Sequence, residues 1–237
     1  MKKILACVIA ILGTLSFVSP ASASPVTSTS AATAEAMNTM TRETGEAAQH
    51  KISLVSDLVD NGTLVRHVNA DELKIEDSLV YVLSEQQGGG SLVIVPISDP
   101  YALMSNFIVY LSNSGTMYRY NETLIDRSVS NTFQIKQYAD GTLTRSDVSD
   151  IAYKTNDDLK EELRTGLSQQ RPTARGNPTA CASMAFGVGT GFGAILAWAC
   201  AGTCVSGVGA PVCIACIGAY AAVSYGSINT FMNCLKS

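Results

Sequence analysis

The last quarter of this chain has almost no charged residues. Between Arg175 and Lys236 run 60 consecutive residues without a lysine, arginine, histidine, aspartate or glutamate. The longer part before it, residues 24–175, lacks cysteine, since six of the seven cysteines stand in the last 57 positions. An uncharged segment excludes the ordinary surface of a soluble domain, which is rich in charged side chains. The missing cysteines mean that no disulfide can join residues 24–175 to the uncharged segment.

Histidine is also scarce. The chain has only His50 and His67, and neither stands in a motif typical of a catalytic nucleophile or a metal site. We interpret both as isolated surface residues, and we interpret Gly88-Gly89-Gly90 as a flexible connection. The sequence contains no nucleophile elbow, no zinc-protease helix motif and no phosphate-binding glycine loop. We therefore expect no enzyme activity, no catalytic residue, no metal ion and no cofactor.

Basic residues are in deficit. The whole chain has 16 lysines and arginines against 20 aspartates and glutamates, and residues 24–175 alone carry 13 basic against 20 acidic side chains, a net charge of −7. Proteins that bind nucleic acid need a basic surface that displaces counterions. We therefore expect no nucleic-acid partner.

The first residues have the pattern of a secretory signal peptide. Two lysines precede an apolar core over Ile4–Val18, and Ala21-Ser22-Ala23 supplies small residues for cleavage. We predict cleavage between Ala23 and Ser24, which removes residues 1–23. The mature chain is then expected to be secreted and extracellular, where disulfides persist.

Residues 24–175 are predicted to form a soluble acidic pro-domain with an α+β fold. Its start, up to Thr41, is rich in small polar residues and predicted to be disordered. A helix is predicted over Glu43–Val59, followed by short apolar segments that turn at Asn113-Ser114-Gly115 and Asp140-Gly141. These segments predict an antiparallel β-meander with flanking helices. The predicted strands are Leu79–Leu83, Leu92–Val95, Phe107–Leu111, Met117–Tyr120, Phe133–Tyr138 and Thr142–Arg145.

A second helix is predicted to end this module. Asn156-Asp157-Asp158 is interpreted as its cap, and Leu159, Leu163 and Leu167 follow at intervals of four residues. This spacing places the three leucines on one apolar stripe.

The six cysteines of residues 176–237 predict three disulfides, because an exported chain meets an oxidising environment. The inner cysteines have helical spacing on either side of a Gly/Pro-containing turn, which predicts a small all-α antiparallel hairpin. In such a hairpin, the residue numbers of two facing residues add up to nearly the same value for every facing pair. This rule selects one nested pairing: Cys181 with Cys234, Cys200 with Cys216, and Cys204 with Cys213. Zinc binding by these cysteines and a redox role for Cys213 and Cys216 remain less favoured alternatives.

The same segment is predicted to contact membranes. An uncharged run of 18 residues, 182–199, reaches the length at which a membrane span becomes plausible. Gly187 and Gly191 form a spacing that lets helices pack closely in lipid. The side chains predicted to contact the membrane are Phe186, Phe192, Ile195, Leu196, Trp198 and Tyr220.

Two cysteine motifs resemble a known family. Cys200-Ala201-Gly202-Thr203-Cys204 and Val212–Gly218 lie in a Gly/Ala/Val-rich segment that follows a soluble charged one. In this the chain resembles the cysteine-rich microhalocin (halocin C type) bacteriocin precursors, with a likeness that covers residues 176–237. The resemblance implies that a released C-terminal peptide acts against competing cells and that the N-terminal part serves as carrier or self-immunity module. The implied partners are the target-cell membrane and the peptide's own pro-domain.

Release of the tail requires a cut in the linker. Arg171 and Arg175 stand in this Pro- and Gly-containing linker, so a host processing protease is expected to cut after Arg175 and liberate Gly176–Ser237. Two alternatives remain open. In the first, the tail is a permanent transmembrane hairpin that anchors an extracytoplasmic binding or immunity protein. In the second, residues 24–175 are an enzyme whose site is not recognisable.

Overall fold

The computed structural model describes residues 41–85, 89–166, 193–196 and 198–200. Within these residues seven strands form one antiparallel sheet, and two α-helices, α1 (Glu46–Asp60) and α2 (Asn156–Gly166), flank it. Two short 3-10 turns, Ala70–Glu72 and Ile75–Asp77, lie between α1 and the second strand. The strands are β1 (Thr41–Glu43), β2 (Leu79–Val82), β3 (Ser91–Pro96), β4 (Asn106–Leu111), β5 (Met117–Arg127), β6 (Thr132–Ala139) and β7 (Thr142–Ala152).

The predicted antiparallel meander with flanking helices is confirmed. Each strand pairs with the next strand along the chain, from β1 at one edge to β7 at the other. Asp140 and Gly141 have φ angles of 48° and 78°, as the two-residue turn between β6 and β7 requires. The same residues that predicted this hairpin therefore form it. We call residues 41–166 the sheet module.

The boundaries differ from the prediction in three places. β1 was predicted to be part of the disordered start and the first helix, but it pairs with β2, and α1 begins only at Glu46. Lys51 of α1 joins these elements, because its Nζ lies 2.6 Å from Glu43 Oε2 and 2.8 Å from Ser91 Oγ. β5 and β7 each have 11 residues. They were predicted to be shorter, because polar residues occupy much of both strands.

The sheet has two buried faces. One face, which we call the α1 face, packs against α1 through Val55 and Val59 and carries Val93, Phe107 and Val109 among other apolar residues. The other, which we call the far face, is made by alternate residues of the same strands. It carries a separate apolar cluster formed by Tyr81, Leu83, Leu92, Ile94, Ile108 and Tyr110.

Gly90 is held in place, so the interpretation of the glycine triplet as a flexible connection is wrong for this residue. Its φ is +86°, and an added Cβ would lie 2.1 Å from the backbone oxygen of Leu111. Its N–H donates to Asn113 Oδ1 at 2.7 Å. Gly90 thus allows β3 to approach the turn after β4, where no larger residue fits.

The cap of α2 differs from the predicted one. Thr155 Oγ1 accepts a hydrogen bond from the N–H of Asp158, and the Asp158 carboxylate accepts from the N–H and the hydroxyl of Thr155. Asn156 instead donates to the Tyr101 carbonyl and accepts from the N–H of Leu103. Leu159 is fully buried, as its predicted apolar stripe requires. The side chains of Leu163 and Leu167 lie outside the described residues.

This cap leads to a pH-dependent prediction. The Thr155 hydroxyl and backbone N–H bind the Asp158 carboxylate and lower its pKa, so the cap stabilises the helix above the ordinary carboxyl pKa and is lost as pH falls through the lowered value. We expect Thr155→Ala to raise the pKa of Asp158 back toward its usual range and to lower the stability of the helix start. Titration followed by NMR measures the first effect. Thr155→Ser, which keeps the hydroxyl, is the control and should preserve the lowered pKa.

Candidate functional site

Arg145 lies on the far face of the sheet. Residues opposite each other in neighbouring antiparallel strands point to the same side of the sheet. A continuous row of paired residues runs from Pro96 on β3 across β4, β5 and β6 to Arg145 on β7. Pro96 stands two positions after Ile94, which belongs to the far face. The side chain of Arg145 therefore lies on the far face.

The Arg145 guanidinium binds a short helical segment of the tail. Residues 193–196 and 198–200 are helical, and we call them the docked segment. Arg145 Nη1 donates to the backbone carbonyls of Trp198, at 3.2 Å, and Ala199, at 3.1 Å. The guanidinium also lies over the indole ring of Trp198, 5.2 Å from its centre. Asp147 binds Arg145 Nε and so fixes the orientation of the planar group.

The contacts of Arg145 do not require a charged partner, because they are made with backbone carbonyls and an indole ring. A guanidinium forms charge-assisted hydrogen bonds with carbonyl oxygens, and these are stronger than hydrogen bonds between neutral groups. The face of an indole ring attracts a guanidinium as well. The Arg145 side chain is only 17% exposed, so water competes little for these contacts. Arg145 recognises the backbone and the ring of the docked segment, which has no charged side chain to offer.

The docked segment is itself largely buried. Ile195 and Ala199 are fully buried, and Leu196 is 1% exposed. Cys200 is disulfide-bonded. The remaining cysteines of the tail lie outside the described residues, so the three predicted pairs stay predictions.

A second polar cluster surrounds Glu122 on the α1 face. Glu122 is 1% exposed and stands opposite Phe107 on β4 and Tyr138 on β6. Its two carboxylate oxygens accept from the backbone N–H of His67 at 3.0 and 3.1 Å. Its Oε2 also lies 2.7 Å from His67 Nδ1. The His67 ring stacks on Tyr138, with 3.6 Å between ring centres.

His67 and His50 are both exposed, as predicted, but His67 is not isolated, because it contacts Glu122 and Tyr138. Burial and, to a lesser degree, the nearby Glu122 carboxylate raise the pKa of the Tyr138 hydroxyl. A carboxylate and an imidazole in contact can form a general base. Within the described residues, however, no serine, threonine or cysteine hydrogen-bonds His67. The arrangement anchors the loop after α1 to the sheet.

The remaining predicted site residues divide into two groups. Ile195, Leu196 and Trp198, which were predicted to contact the membrane, lie within the docked segment, so the structure brings them together beside the sheet module. Their contact with a membrane stays a prediction. The other predicted positions lie outside the described residues: Ala23, Ser24, Arg175, Gly176, Phe186, Phe192, Tyr220, Cys181, Cys204, Cys213, Cys216 and Cys234.

Sequence reasoning missed both Arg145 and Glu122. Arg145 was predicted to end the last strand, and nothing in its local sequence indicates a contact 53 residues away. Glu122 and His67 are 55 residues apart in the chain. One signal did exist for Glu122, since it is a charged residue next to the buried run Thr123–Ile125. A charge in such a place is seldom buried without a partner.

Within the described residues, no helix combines the length and the apolar composition needed to cross a bilayer. No three His, Cys, Asp or Glu side chains of that part of the chain converge on a common metal position. Comparison of the chain with models of known protein families, with curated protein sequences and with solved structures finds no match.

Proposed function

We propose that this chain is an exported precursor of an apolar, disulfide-bonded antimicrobial peptide of the halocin C type. In this proposal the leader 1–23 directs export, and a cut after Arg175 releases Gly176–Ser237. The released peptide then acts on the membranes of competing cells. The sheet module is the carrier of the peptide and the self-immunity part of the precursor.

The observation that carries the proposal is the contact between Arg145 and the docked segment. A carrier has to bind its cargo until the moment of release, and this contact joins the acidic module to the uncharged tail. The net charge of −7 over residues 24–175 also supports a carrier, because like charge on a soluble module opposes aggregation. An apolar tail without such a module would associate with itself or with the membranes of the producer.

The proposal describes the released tail as two antiparallel helices joined by three disulfides. A fragment of this size has too small a core to be stable without covalent links. Each disulfide adds about 2–4 kcal/mol of stability by restricting the unfolded chain. The docked segment and the disulfide at Cys200 support this description for the part of the tail that contains them.

Blocking the cut tests the proposal. We expect the culture supernatant of the producer to contain the fragment Gly176–Ser237, with a mass that rises by two hydrogens per disulfide on reduction. Changing both Arg171 and Arg175 to glutamine removes the basic residues that a trypsin-like or subtilisin-like protease would use. Release and killing of sensitive cells should then be abolished. Mass spectrometry and a growth-inhibition assay on the same samples measure the two effects.

Arg164→Gln, which changes an arginine upstream of the linker, is the matched control and should leave release unchanged. Intact chain in the membrane fraction, with no fragment in the supernatant, would contradict the proposal and favour a permanently anchored binding or immunity protein. A released fragment that leaves lipid vesicles and sensitive cells unaffected would also contradict it.

A further inference from the structure

The far face continues beyond its central cluster toward β7. Ile125 pairs with Ile135, and Phe133 stands two positions before Ile135, so all three lie on the side of the sheet that carries Tyr110 and Arg145. Each of the three is fully buried. The far face thus carries buried apolar residues on β2 to β6, beside the buried polar residues Asn106, Thr123 and Gln137 of the row that leads to Arg145.

A sheet that is apolar on both faces requires a layer of chain on each side. α1 provides this layer on the α1 face. On the far face, the ring of Tyr153 lies against Phe133, with 5.0 Å between ring centres. At the β7 side, Trp198 and Ala199 lie against Arg145. The tail therefore reaches the same face whose apolar residues are buried.

We propose that the far face of the sheet is the surface that binds the apolar tail in the precursor. Arg145 is its polar anchor, because it binds the carbonyls of Trp198 and Ala199. This inference rests on the proposed function, in which the sheet module carries the tail. To that function it adds the surface that binds the tail, the contacts by which the tail is recognised, and the segment of the tail that is bound. A helical segment with apolar side chains, and with an indole ring beside the backbone carbonyls that Arg145 binds, is the partner that this surface fits.

The occupant follows from three observations. The docked segment contacts a residue of the far face directly through Arg145. Ile195 and Leu196 are buried, so they lie against other parts of the chain. The 26 residues between Gly166 and Gly193 can extend over roughly 85 Å, so chain length does not prevent the tail from covering the whole face. Because no cysteine lies in residues 24–175, this binding is entirely noncovalent.

Hydroxyl-radical footprinting of the full-length secreted chain tests the proposal. Tyr110 reports on the far face and is 1% exposed, whereas Tyr120 reports on the α1 face and is 7% exposed. Trp198, the only tryptophan of the chain, reports on the docked segment by its fluorescence. We expect Arg145→Ala to increase the labelling of Tyr110 roughly tenfold, because the segment then opens more often. The emission of Trp198 should shift to the red, and the labelling of Tyr120 should not change.

Lys136→Ala is the control. Lys136 is an exposed strand cation opposite Leu124 of the α1 face, and it makes no described contact with the tail. We expect this variant to leave the labelling of Tyr110 and the emission of Trp198 unchanged. Arg145→Lys keeps the charge without the planar group and should fall between the wild type and Arg145→Ala.

Three results would overturn the proposal. Equal increases at Tyr110 and Tyr120 in Arg145→Ala would mean that the whole module loosens. A red shift of Trp198 without any change at Tyr110 would mean that the tail contacts Arg145 without covering the far face. Protection of Tyr110 that weakens on dilution would mean that a second copy covers the face. All of these measurements use the uncut chain, so an inert or unreleased tail refutes the proposed function without changing them.

Discussion

Replacement of Glu122 by alanine is expected to lower the free energy of unfolding by about 3 kcal/mol. The carboxylate of Glu122 accepts from the backbone and the ring of His67 and is almost fully buried. Without it, the partly buried backbone N–H of His67 loses its acceptor and the ring nitrogen loses its partner. The cost of leaving such groups unpaired exceeds the small net gain of an ordinary hydrogen bond. Urea unfolding followed by circular dichroism measures the change.

Two further variants separate the causes of this effect. Glu76→Ala removes an exposed carboxylate and should change the stability by less than about 0.5 kcal/mol. His67→Ala removes the ring but keeps the backbone hydrogen bonds to Glu122, so it should cost less than Glu122→Ala. A loss below about 1 kcal/mol in Glu122→Ala would show that water replaces the carboxylate and that the cluster does not anchor the loop.

Replacement of Gly90 by alanine is expected to be still more disruptive. An alanine with φ near +86° is strained by roughly 1–2 kcal/mol. In addition, its Cβ would lie 2.1 Å from the Leu111 backbone oxygen, so the turn after β4 has to move. We expect a total loss of at least about 3 kcal/mol, seen as a lower urea midpoint or as failure of the chain to accumulate in the supernatant.

Gly62→Ala is the matched control for Gly90→Ala. Gly62 has a φ of +71°, and an added Cβ there meets nothing within 4 Å. It therefore carries the backbone strain without the clash, and we expect it to cost roughly 1–2 kcal/mol. Equal losses in the two variants would mean that the contact with Leu111 relaxes freely, contrary to the close packing of β3 on β4.

The order of β2 to β7 could be predicted from the sequence because its determinants are local. Asp140-Gly141 and Asn113-Ser114-Gly115 specify tight turns, and tight turns make each strand pair with its neighbour in the chain. The lengths of β5 and β7 could not be predicted from apolar runs. Much of β7 is exposed, because it forms the edge of the sheet, so its sequence has few apolar residues to mark it.

The sequences of β3 and β4 indicate that the sheet is covered on both faces, but they do not show which segment covers the far face. Every residue of Asn106–Leu111 is buried, as are the first five residues of Ser91–Pro96. Continuous apolar runs of this length indicate strands covered on both faces, whereas a sheet with one wet face alternates. The identity of the covering segment could not follow from this pattern, because the contact of Arg145 with Trp198 joins positions 53 residues apart.

The consecutive order of the strands bears on the timing of export. From β2 to β7 each new strand adds to the preceding one across a connection of at most nine residues, and such a topology forms quickly. Translation and secretion deliver the chain from its N-terminus. Residues 41–152 can thus complete the sheet before the last cysteines emerge. The apolar peptide would then meet a finished receptor in its own molecule as soon as it appears, and oxidation of its thiols would follow on that receptor.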